Sequence, residues 1–348
     1  MAYAARRSEL MKEAKEHLKP YKATTLVSDS SVPAALQTDA NLKNAWGIAF
    51  NPKTFIWIAD NGTQRATLYD GNGVVQSVVV SIPAGSNGPA NPTGIVFNGT
   101  GDFEVSNNGK SGTGVFIFSG EGGTIAAWSP KVNPTAAITV FDDRHGGAVY
   151  KGLAIANNGG ANFLYAADFH NNKIDVFDKN FGKVTLPGAF HDDSLQAGFA
   201  PFGIQAIGSK IYVAYAKQDT AAHDNVSGPG LGIVNVFDTA GKLVQHFASG
   251  GPLNAPWGVA QAPAAFGQFS NDVLVGNFGD GMINAFDPAS GEFVGTLKQK
   301  DGKAIMQPGL WGIAFGNGLN NQPTDTLFFA AGPNGEANGV YGRIDVDR

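Results

Sequence analysis

Cysteine is absent from this chain of 348 residues, and charged side chains make up only 15% of it. The lack of cysteine excludes disulfide bonds, thiolate metal sites and cysteine nucleophiles. No apolar run reaches the length of about 18 residues that indicates a membrane-spanning helix, so the sequence predicts no membrane span. The formal net charge is −5. An acidic chain without a basic stripe is not expected to have a nucleic-acid partner.

Residues 1–22 differ in composition from the rest, because they carry six basic and three acidic side chains. These charges leave no room for the apolar segment of a signal peptide. The spacing of Leu10, Ala14 and Leu18 predicts a short amphipathic helix that Pro20 ends. We interpret residues 1–22 as a charged leader, predicted to be helical, through which the chain could form oligomers.

Glycine and phenylalanine are abundant instead, with 47 and 24 residues. The pentapeptide WGIAF at residues 46–50 returns unchanged at residues 311–315, and four related copies lie between them. The intervals are about 50 residues long, a period typical of repeat architectures. The six copies share one glycine each: Gly47, Gly94, Gly152, Gly203, Gly258 and Gly312.

Each copy continues into a second and a third apolar segment, such as FIWIAD at residues 55–60 and IDVFD at residues 174–178, and a weaker fourth segment follows in the first five. Four short strands in a repeat of this length are typical of a β-propeller blade. The sixth copy lacks a fourth strand, while residues 23–29 have no neighbour to pair with. The sequence therefore predicts an all-β fold, a six-bladed β-propeller of residues 23–348, whose last blade residues 23–29 complete.

The repeats share one order of motifs: Gly-Ile-Ala-Phe, then a strand ending in Ala-Asp, then Ile-x-Val-Phe-Asp before a glycine turn. This order resembles NHL-type repeats. Residues 23–348 are similar to an uncharacterised family of exported bacterial six-bladed propellers. The resemblance implies the fold and an extracellular or periplasmic location. It implies no activity.

Ligand sites of propellers are expected on the face where the first strands begin and the second strands end, since loops on a rigid ring meet there around the central channel. We call this face the mouth. Aligned copies place polar side chains at the end of the second strand and two residues beyond it. The predicted ligand-binding residues are Asp60, Ser119, Asp168 and Asn277 at the first position and Glu121 at the second.

Four histidines are predicted at the mouth in one sector of the ring. His145 and His191 lie in the connections into blades 3 and 4, and His170 and His223 lie in the loops between second and third strands of the same blades. Imidazoles with aspartates nearby are typical of zinc, copper or iron sites. The alternative is that they are ordinary residues of polar loops, since no compact metal motif such as His-Glu-x-x-His is present.

The tryptophans of the first strands, Trp46, Trp257 and Trp311, are interpreted as packing between blades, with a ligand-stacking platform as the alternative. Three functions remain open at this point. The first is a binding scaffold that presents the mouth to a small molecule, a glycan or a protein. The second is a metal-dependent lyase or hydrolase, and the third is a structural subunit. No Gly-x-Ser-x-Gly nucleophile motif is present, so no catalytic residue is assigned and enzyme activity stays undecided.

Overall fold

Each of the six repeats forms one sheet of mainly antiparallel strands, and the six sheets stand around a common axis as blades 1–6. The computed structural model describes residues 19–31, 33–143 and 145–347. The innermost strands contact one another in chain order, and the innermost strand of blade 6 contacts that of blade 1, so the ring is closed. The predicted six-bladed propeller is confirmed.

The strand bounds follow the repeats. Blade 1 consists of Ala45–Phe50, Ile56–Asp60, Arg65–Tyr69 and Val80–Ser81, and blade 2 of Pro92–Phe97, Phe116–Gly120, Thr124–Trp128 and Ile138–Asp142. Blade 3 consists of Tyr150–Asn158, Ala161–Asp168, Lys173–Phe177 and Lys183–Val184. Blade 4 consists of Phe199–Ile207, Lys210–Gln218, Ile233–Asp238 and Leu243–Ser249, with Asn225–Val226 beside its second strand.

Blade 5 consists of Pro256–Gln261, Val273–Asn277, Ile283–Phe286 and Phe293–Thr296, and blade 6 contains Leu310–Phe315, Leu327–Ala331 and Val340–Val346. Glu104–Asn107 and Lys110–Thr113 form a separate hairpin. Two short 3₁₀ helices span Asn61–Thr63 and Gly267–Phe269. No helix in the described part of the chain combines the length and hydrophobicity needed to cross a lipid bilayer.

The strand Tyr21–Ser28 completes blade 6 by antiparallel pairing with Val340–Val346, and Gln37–Thr38 adds a parallel strand outside it. This confirms the closing strand predicted at residues 23–29, with a start two residues earlier and an end one residue earlier. The Tyr21 hydroxyl donates a hydrogen bond to the Phe266 carbonyl oxygen at 2.8 Å. Tyr21 and Lys22 therefore belong to the propeller and not to the leader, and the predicted helix lies outside the described residues.

Neighbouring innermost strands approach so closely that only glycine fits at one level of the ring. A Cβ atom on Gly203 would lie 2.0 Å from the Trp257 carbonyl oxygen, and one on Gly258 would lie 2.6 Å from the Trp311 carbonyl oxygen. Real Cβ contacts do not occur below about 3 Å, because van der Waals repulsion forces the backbone apart. The recurring pentapeptide is thus the innermost strand, and its glycine sets the spacing between blades.

Tryptophan side chains next to these glycines fill the axis on the mouth side. The rings of Trp46 and Trp311 stack at a centroid distance of 3.6 Å, and Trp257 packs against both with its edge. Phe202 and Phe278 pack on Trp311. The tryptophans therefore pack in the interior, as interpreted from the sequence, but they pack on one another across the axis and form an aromatic plug in the channel.

Candidate functional site

A buried lysine stands at the centre of the mouth. Only 2% of the Lys151 side chain is exposed, and its Nζ lies 2.5 Å from Glu121 Oε1 and 3.0 Å from Asp224 Oδ1. The ammonium also lies over the rings of Trp46 and Phe169, at 5.4 and 6.0 Å from their centroids. Two carboxylates and two aromatic faces thus replace the water that a lysine normally retains.

Hydrogen bonds extend this ion pair across the mouth. Asn61 Nδ2 donates to Glu121 Oε2 at 3.0 Å, and Asn44 Nδ2 donates to Asn61 Oδ1 at 3.2 Å and to Glu336 Oε2 at 2.7 Å. Trp311 Nε1 donates to Asn44 Oδ1 at 3.0 Å, which joins the network to the aromatic plug beneath it. We call these six polar residues the mouth network: Asn44, Asn61, Glu121, Lys151, Asp224 and Glu336.

The members of the mouth network come from loops and strand ends far apart in the sequence. Asn61 follows the second strand of blade 1, Glu121 that of blade 2 and Glu336 that of blade 6. Lys151 lies in the first strand of blade 3, and Asp224 lies between the second and third strands of blade 4. The ring closure brings five blades to one point, so the network depends on the complete propeller.

The electrostatics of the mouth network favour an ionised pair. Burial lowers the pKa of Lys151, but the carboxylates of Glu121 and Asp224 outweigh burial and hold it above its ordinary value. Burial raises the pKa of Asp224, but Lys151 and His223 together outweigh burial and hold the pKa below its ordinary value, so the carboxylate is favoured. Burial raises the pKa of Glu336 more than the hydrogen bond from Asn44 lowers it. The mouth network thus combines three acidic groups with one ammonium, which contacts Glu121 and Asp224.

Three of the predicted ligand-binding residues hold loops in place. The side-chain oxygens of Ser119, Asp168 and Asn277 each accept a hydrogen bond from the backbone N–H of a residue at the start of the same blade, at 3.1–3.2 Å. All three side chains are buried. The donors are Gly94, Val149 and Asn254, in that order. These contacts fix the connection into the first strand against the end of the second strand.

The remaining two predicted residues differ from these. Asp60 occupies the equivalent strand end but is fully buried, and neither of its carboxyl oxygens accepts a hydrogen bond from the described residues. Burial raises its pKa well above the usual range, and the nearby Thr67 hydroxyl lowers it less. Glu121 alone of the five belongs to the mouth network, where 11% of its side chain is exposed.

Of the four predicted histidines, His223 lies against the mouth network. His223 Nδ1 is 3.1 Å from Asp224 Oδ1, and ligand atoms of Glu121, His223 and Asp224 lie within 4.8 Å of one another. In the part of the chain that the structure describes, this is the group of three histidine or carboxylate side chains close enough to share a metal ion. Lys151 already places its ammonium between the two carboxylates.

His170 and His145 lie in two loops next to this group. His170 Nδ1 is 3.1 Å from the carbonyl oxygen of Ala222, the residue before His223. Asn171 Nδ2 donates to the Gly146 carbonyl oxygen at 3.1 Å, so the loop that carries His145 contacts the loop that carries His170. Both histidines are exposed to solvent.

His191 is separated from the other three. Its Nε2 lies 2.9 Å from Asp193 Oδ1, and both side chains are exposed. The preceding residue, Phe190, donates its backbone N–H to the Gly241 carbonyl oxygen at 2.7 Å. Gly241 lies in the turn between the third and fourth strands of blade 4, which is at the end of the blade opposite the mouth. The structure therefore brings three of the four predicted histidines near the mouth and not the fourth.

Lys151, Asn44, Asn61 and Glu336 were not among the residues predicted from the sequence. The signal for Lys151 was present in the repeat, because it stands directly before the glycine of the third copy, KGLAI. The other copies carry Trp46, Thr93, Phe202, Trp257 and Trp311 at that position. One charged residue in a column of large or uncharged ones marks a site where the ring departs from simple packing.

Solved structures with the same fold are distant in sequence. The chain is similar over 94% of its length to a streptogramin B lyase, with 11% identity, a TM-score of 0.52 and 97% of that chain covered. It is equally similar to the aldose sugar dehydrogenase of Escherichia coli, with 13% identity, a TM-score of 0.52 and coverage of 94% and 99%. Identities this low show the propeller fold and do not indicate the activity.

Two curated relatives are more similar to this chain in sequence than these solved structures are. The uncharacterised protein R648 of Acanthamoeba polyphaga mimivirus is 34% identical over 94% of this chain and 81% of its own length. The uncharacterised protein L690 of the same virus is 34% identical, over 94% of this chain and 86% of its own length. No family model matches the chain. The relatives are viral and not bacterial, and the exported location stays a prediction. The chain belongs to the family of six-bladed propellers that includes the mimivirus proteins R648 and L690.

Proposed function

We propose that the protein is a non-catalytic binding protein whose mouth takes a small, positively charged molecule rich in hydrogen-bond donors. The observation that carries the proposal is the mouth network, in which Glu121 and Asp224 contact one buried ammonium and a third acidic side chain, Glu336, is joined to the network through Asn44. Carboxylate oxygens accept hydrogen bonds and Lys151 already donates to two of them, so the remaining capacity is for donors supplied by a ligand.

The architecture supports ligand binding without a catalysed reaction. Loops held on a rigid ring place these groups with little freedom, which lowers the entropy lost when a ligand binds. Lys151 and its two carboxylates form a rigid base of the site, because Trp46 and Phe169 also enclose the Lys151 side chain. Asp224 is the open side of the site, with 66% of its side chain exposed.

The test compares three sugars of nearly equal shape and different charge, glucosamine, glucose and glucuronate, by isothermal titration calorimetry at low ionic strength. Glucosamine is expected to bind about tenfold more tightly than glucose, which corresponds to about 1.4 kcal/mol, and glucuronate is expected not to bind. Glu336→Gln should weaken glucosamine binding several-fold. Glu292→Gln, which removes the same charge from an exposed turn of blade 5, should leave it unchanged. Tightest binding of glucuronate, or no binding of any of the three, would contradict the proposal.

A metal-dependent lyase or hydrolase is the second candidate, favoured by the approach of Glu121, His223 and Asp224 to within 4.8 Å. A zinc, copper or iron ion there would replace the Lys151 contact with the two carboxylates. If the candidate is right, purified protein holds near-stoichiometric metal that His223→Ala releases and His191→Ala, away from the mouth, retains. Elemental analysis distinguishes the two functions, since a metal-free protein that binds glucosamine supports the binding protein.

A further inference from the structure

A second concave site lies on the propeller axis, at the end of the channel opposite the mouth. It is a cavity of about 410 Å³ that all six innermost strands line, and its size falls in the range of about 300–1,000 Å³ common for small-molecule sites. We call it the axial cavity. Among the described residues that line it, none carries a charged side chain.

The wall of the axial cavity consists largely of strand edges. In the described part of the chain, the innermost strand of each of the six blades has a pairing partner on its outer side alone. An edge strand leaves alternate N–H and C=O groups without a partner in the sheet, and in the ring these groups face the axis. Six such edges surround the cavity with both hydrogen-bond donors and hydrogen-bond acceptors.

The large apolar side chains of these strands turn away from the axis and pack into the cores between blades. Three phenylalanine pairs show this: Phe50 with Phe328, Phe97 with Phe116, and Phe315 with Phe266. Each pair belongs to a different hydrophobic cluster. The axial cavity therefore has no continuous apolar wall, and its backbone edges are the surface that a ligand meets.

Two amide side chains add to this polar lining. Gln205 of blade 4 and Gln261 of blade 5 are the exposed residues among those that line the cavity. The other copies carry alanine or valine where Gln205 stands, and phenylalanine, isoleucine or alanine where Gln261 stands. Gln205 Nε2 donates to the Ala206 carbonyl oxygen at 3.2 Å, and Gln261 Nε2 donates to the Asn271 carbonyl oxygen at 2.8 Å. Both amide oxygens are therefore acceptors that a ligand can use.

This lining determines the polarity of a suitable ligand. Water hydrogen-bonds strand edges that no ligand covers, so a ligand that displaces the water must form equivalent hydrogen bonds. An apolar molecule forms none, and a charged molecule meets no opposite charge in the cavity. A peptide amide supplies one donor and one acceptor without charge. Peptide amides are also the groups that pair with exposed strand edges when one protein binds an extended segment of another.

The axial cavity is closed towards the mouth. At the level of the repeat glycines the channel narrows to a space of about 20 Å³, too small for more than a water molecule. The aromatic plug of Trp46, Trp257 and Trp311 lies beyond it. A ligand of the axial cavity and a ligand of the mouth cannot pass through the channel to each other, so the two sites are separate.

We infer that the axial cavity binds a small, neutral, peptide-like amide. Its N–H groups donate to the amide oxygens of Gln205 and Gln261 and to backbone carbonyl oxygens of the strand edges. Its carbonyl oxygens accept from the N–H groups of the same edges. The ligand has no ionised ends, because the cavity offers no partner for a charge.

The experiment titrates the full chain with three dipeptides by isothermal titration calorimetry. The first is the blocked dipeptide N-acetyl-Ala-Ala-N-methylamide, which should bind saturably, one per chain, with a dissociation constant of about 1 mM or lower. The second is the same compound with every amide nitrogen methylated. It should bind at least about tenfold more weakly, because it donates no hydrogen bond to the glutamines or the edges. The third is unblocked Ala-Ala, whose charged ends should prevent detectable binding.

Gln205→Leu and Gln261→Leu each remove one acceptor from an exposed side chain, so each should weaken binding of the blocked dipeptide about threefold or more. Gln76→Leu is the matched control, because Gln76 Nε2 also donates to a nearby backbone carbonyl oxygen, that of Val74, but on the outer edge of blade 1. It should leave the affinity unchanged, and so should Glu336→Gln in the mouth network. Thermal unfolding of each variant confirms that the fold is retained.

Equal binding of the blocked and unblocked dipeptides, or no saturable binding of the blocked dipeptide, would overturn the inference. Unchanged affinity of a variant that combines Gln205→Leu with Gln261→Leu would overturn it as well. Tighter binding of the neutral polyol myo-inositol than of the blocked dipeptide would also overturn it and assign the axial cavity to a polyol.

Discussion

At the residue scale, the side chains at the same position of different repeats differ in charge and in hydrogen bonding. Asp168 accepts hydrogen bonds from Val149 and Asn171, while Asn277 makes equivalent contacts without a charge. Asp60 is buried at this position without an accepted hydrogen bond from the described residues. An unpaired buried carboxylate is unfavourable, so burial raises the pKa of Asp60 and favours its neutral form.

Replacement of Asp60 by asparagine is expected to stabilise the protein at neutral and higher pH. The folded-state pKa of Asp60 lies above its unfolded value, so the carboxyl stabilises the fold fully below about pH 4 and loses this contribution as the pH rises towards the folded-state pKa. Urea unfolding should show equal stability of the two proteins near pH 4 and a gain of about 1–3 kcal/mol for Asp60→Asn at pH 8. Asp193→Asn, at a side chain that is 98% exposed, should show no such dependence, and a flat difference for Asp60→Asn would contradict the account.

Lys151 shows what residue patterns can and cannot indicate. Its position in the repeat marks it as unusual in the sequence. Its two partners lie 30 and 73 residues away, at distances that no local spacing rule connects. The unusual charge of Lys151 could therefore be recognised from the sequence, but its partners in the mouth network could not be predicted.

At the scale of the element, the innermost strand explains the recurring pentapeptide. Its glycine packs against the backbone of the next blade, and the large residues around it fill the gaps between sheets. The contact is between backbones, so a side chain cannot move aside to make room. This is why glycine recurs in all six copies, whereas the residue before it varies.

Gly203→Ala is expected to destabilise the protein by about 3 kcal/mol, because its Cβ would lie 2.0 Å from the Trp257 carbonyl oxygen and blades 4 and 5 would have to separate. Chemical denaturation measures the effect. Gly101→Ala is the matched control, since its Cβ would meet no atom within 4 Å. Similar stability of the two variants would show that the blade spacing tolerates a methyl group.

At the scale of the whole molecule, one short strand joins the two ends of the chain. Tyr21–Ser28 buries Tyr21, Leu26 and Val27 and covers the edge of Val340–Val346. An uncovered edge strand exposes unpaired N–H and C=O groups and promotes aggregation. Ring closure is thus a condition for the mouth network, whose residues come from five blades.

A chain that starts at Ser30 is expected to lose at least about 5 kcal/mol of stability, from the three apolar side chains that no longer become buried, and to aggregate. A chain that starts at Lys19 keeps the whole strand and should unfold like the full protein. Size-exclusion chromatography and thermal unfolding compare the two. Monomeric, equally stable protein from the shorter chain would show that the strand is dispensable for closure.

The sequence by itself determined the number of blades, the closing strand and the position of the glycines, because each depends on a pattern that repeats locally and on one unpaired segment. It also placed Glu121 and three of the four histidines at the mouth. Only the tertiary structure decided that Ser119, Asp168 and Asn277 point inwards to hold loops, and that Lys151 joins Glu121 and Asp224. These contacts of Lys151 join residues of different blades, which only the closed ring brings together, and no single repeat contains them.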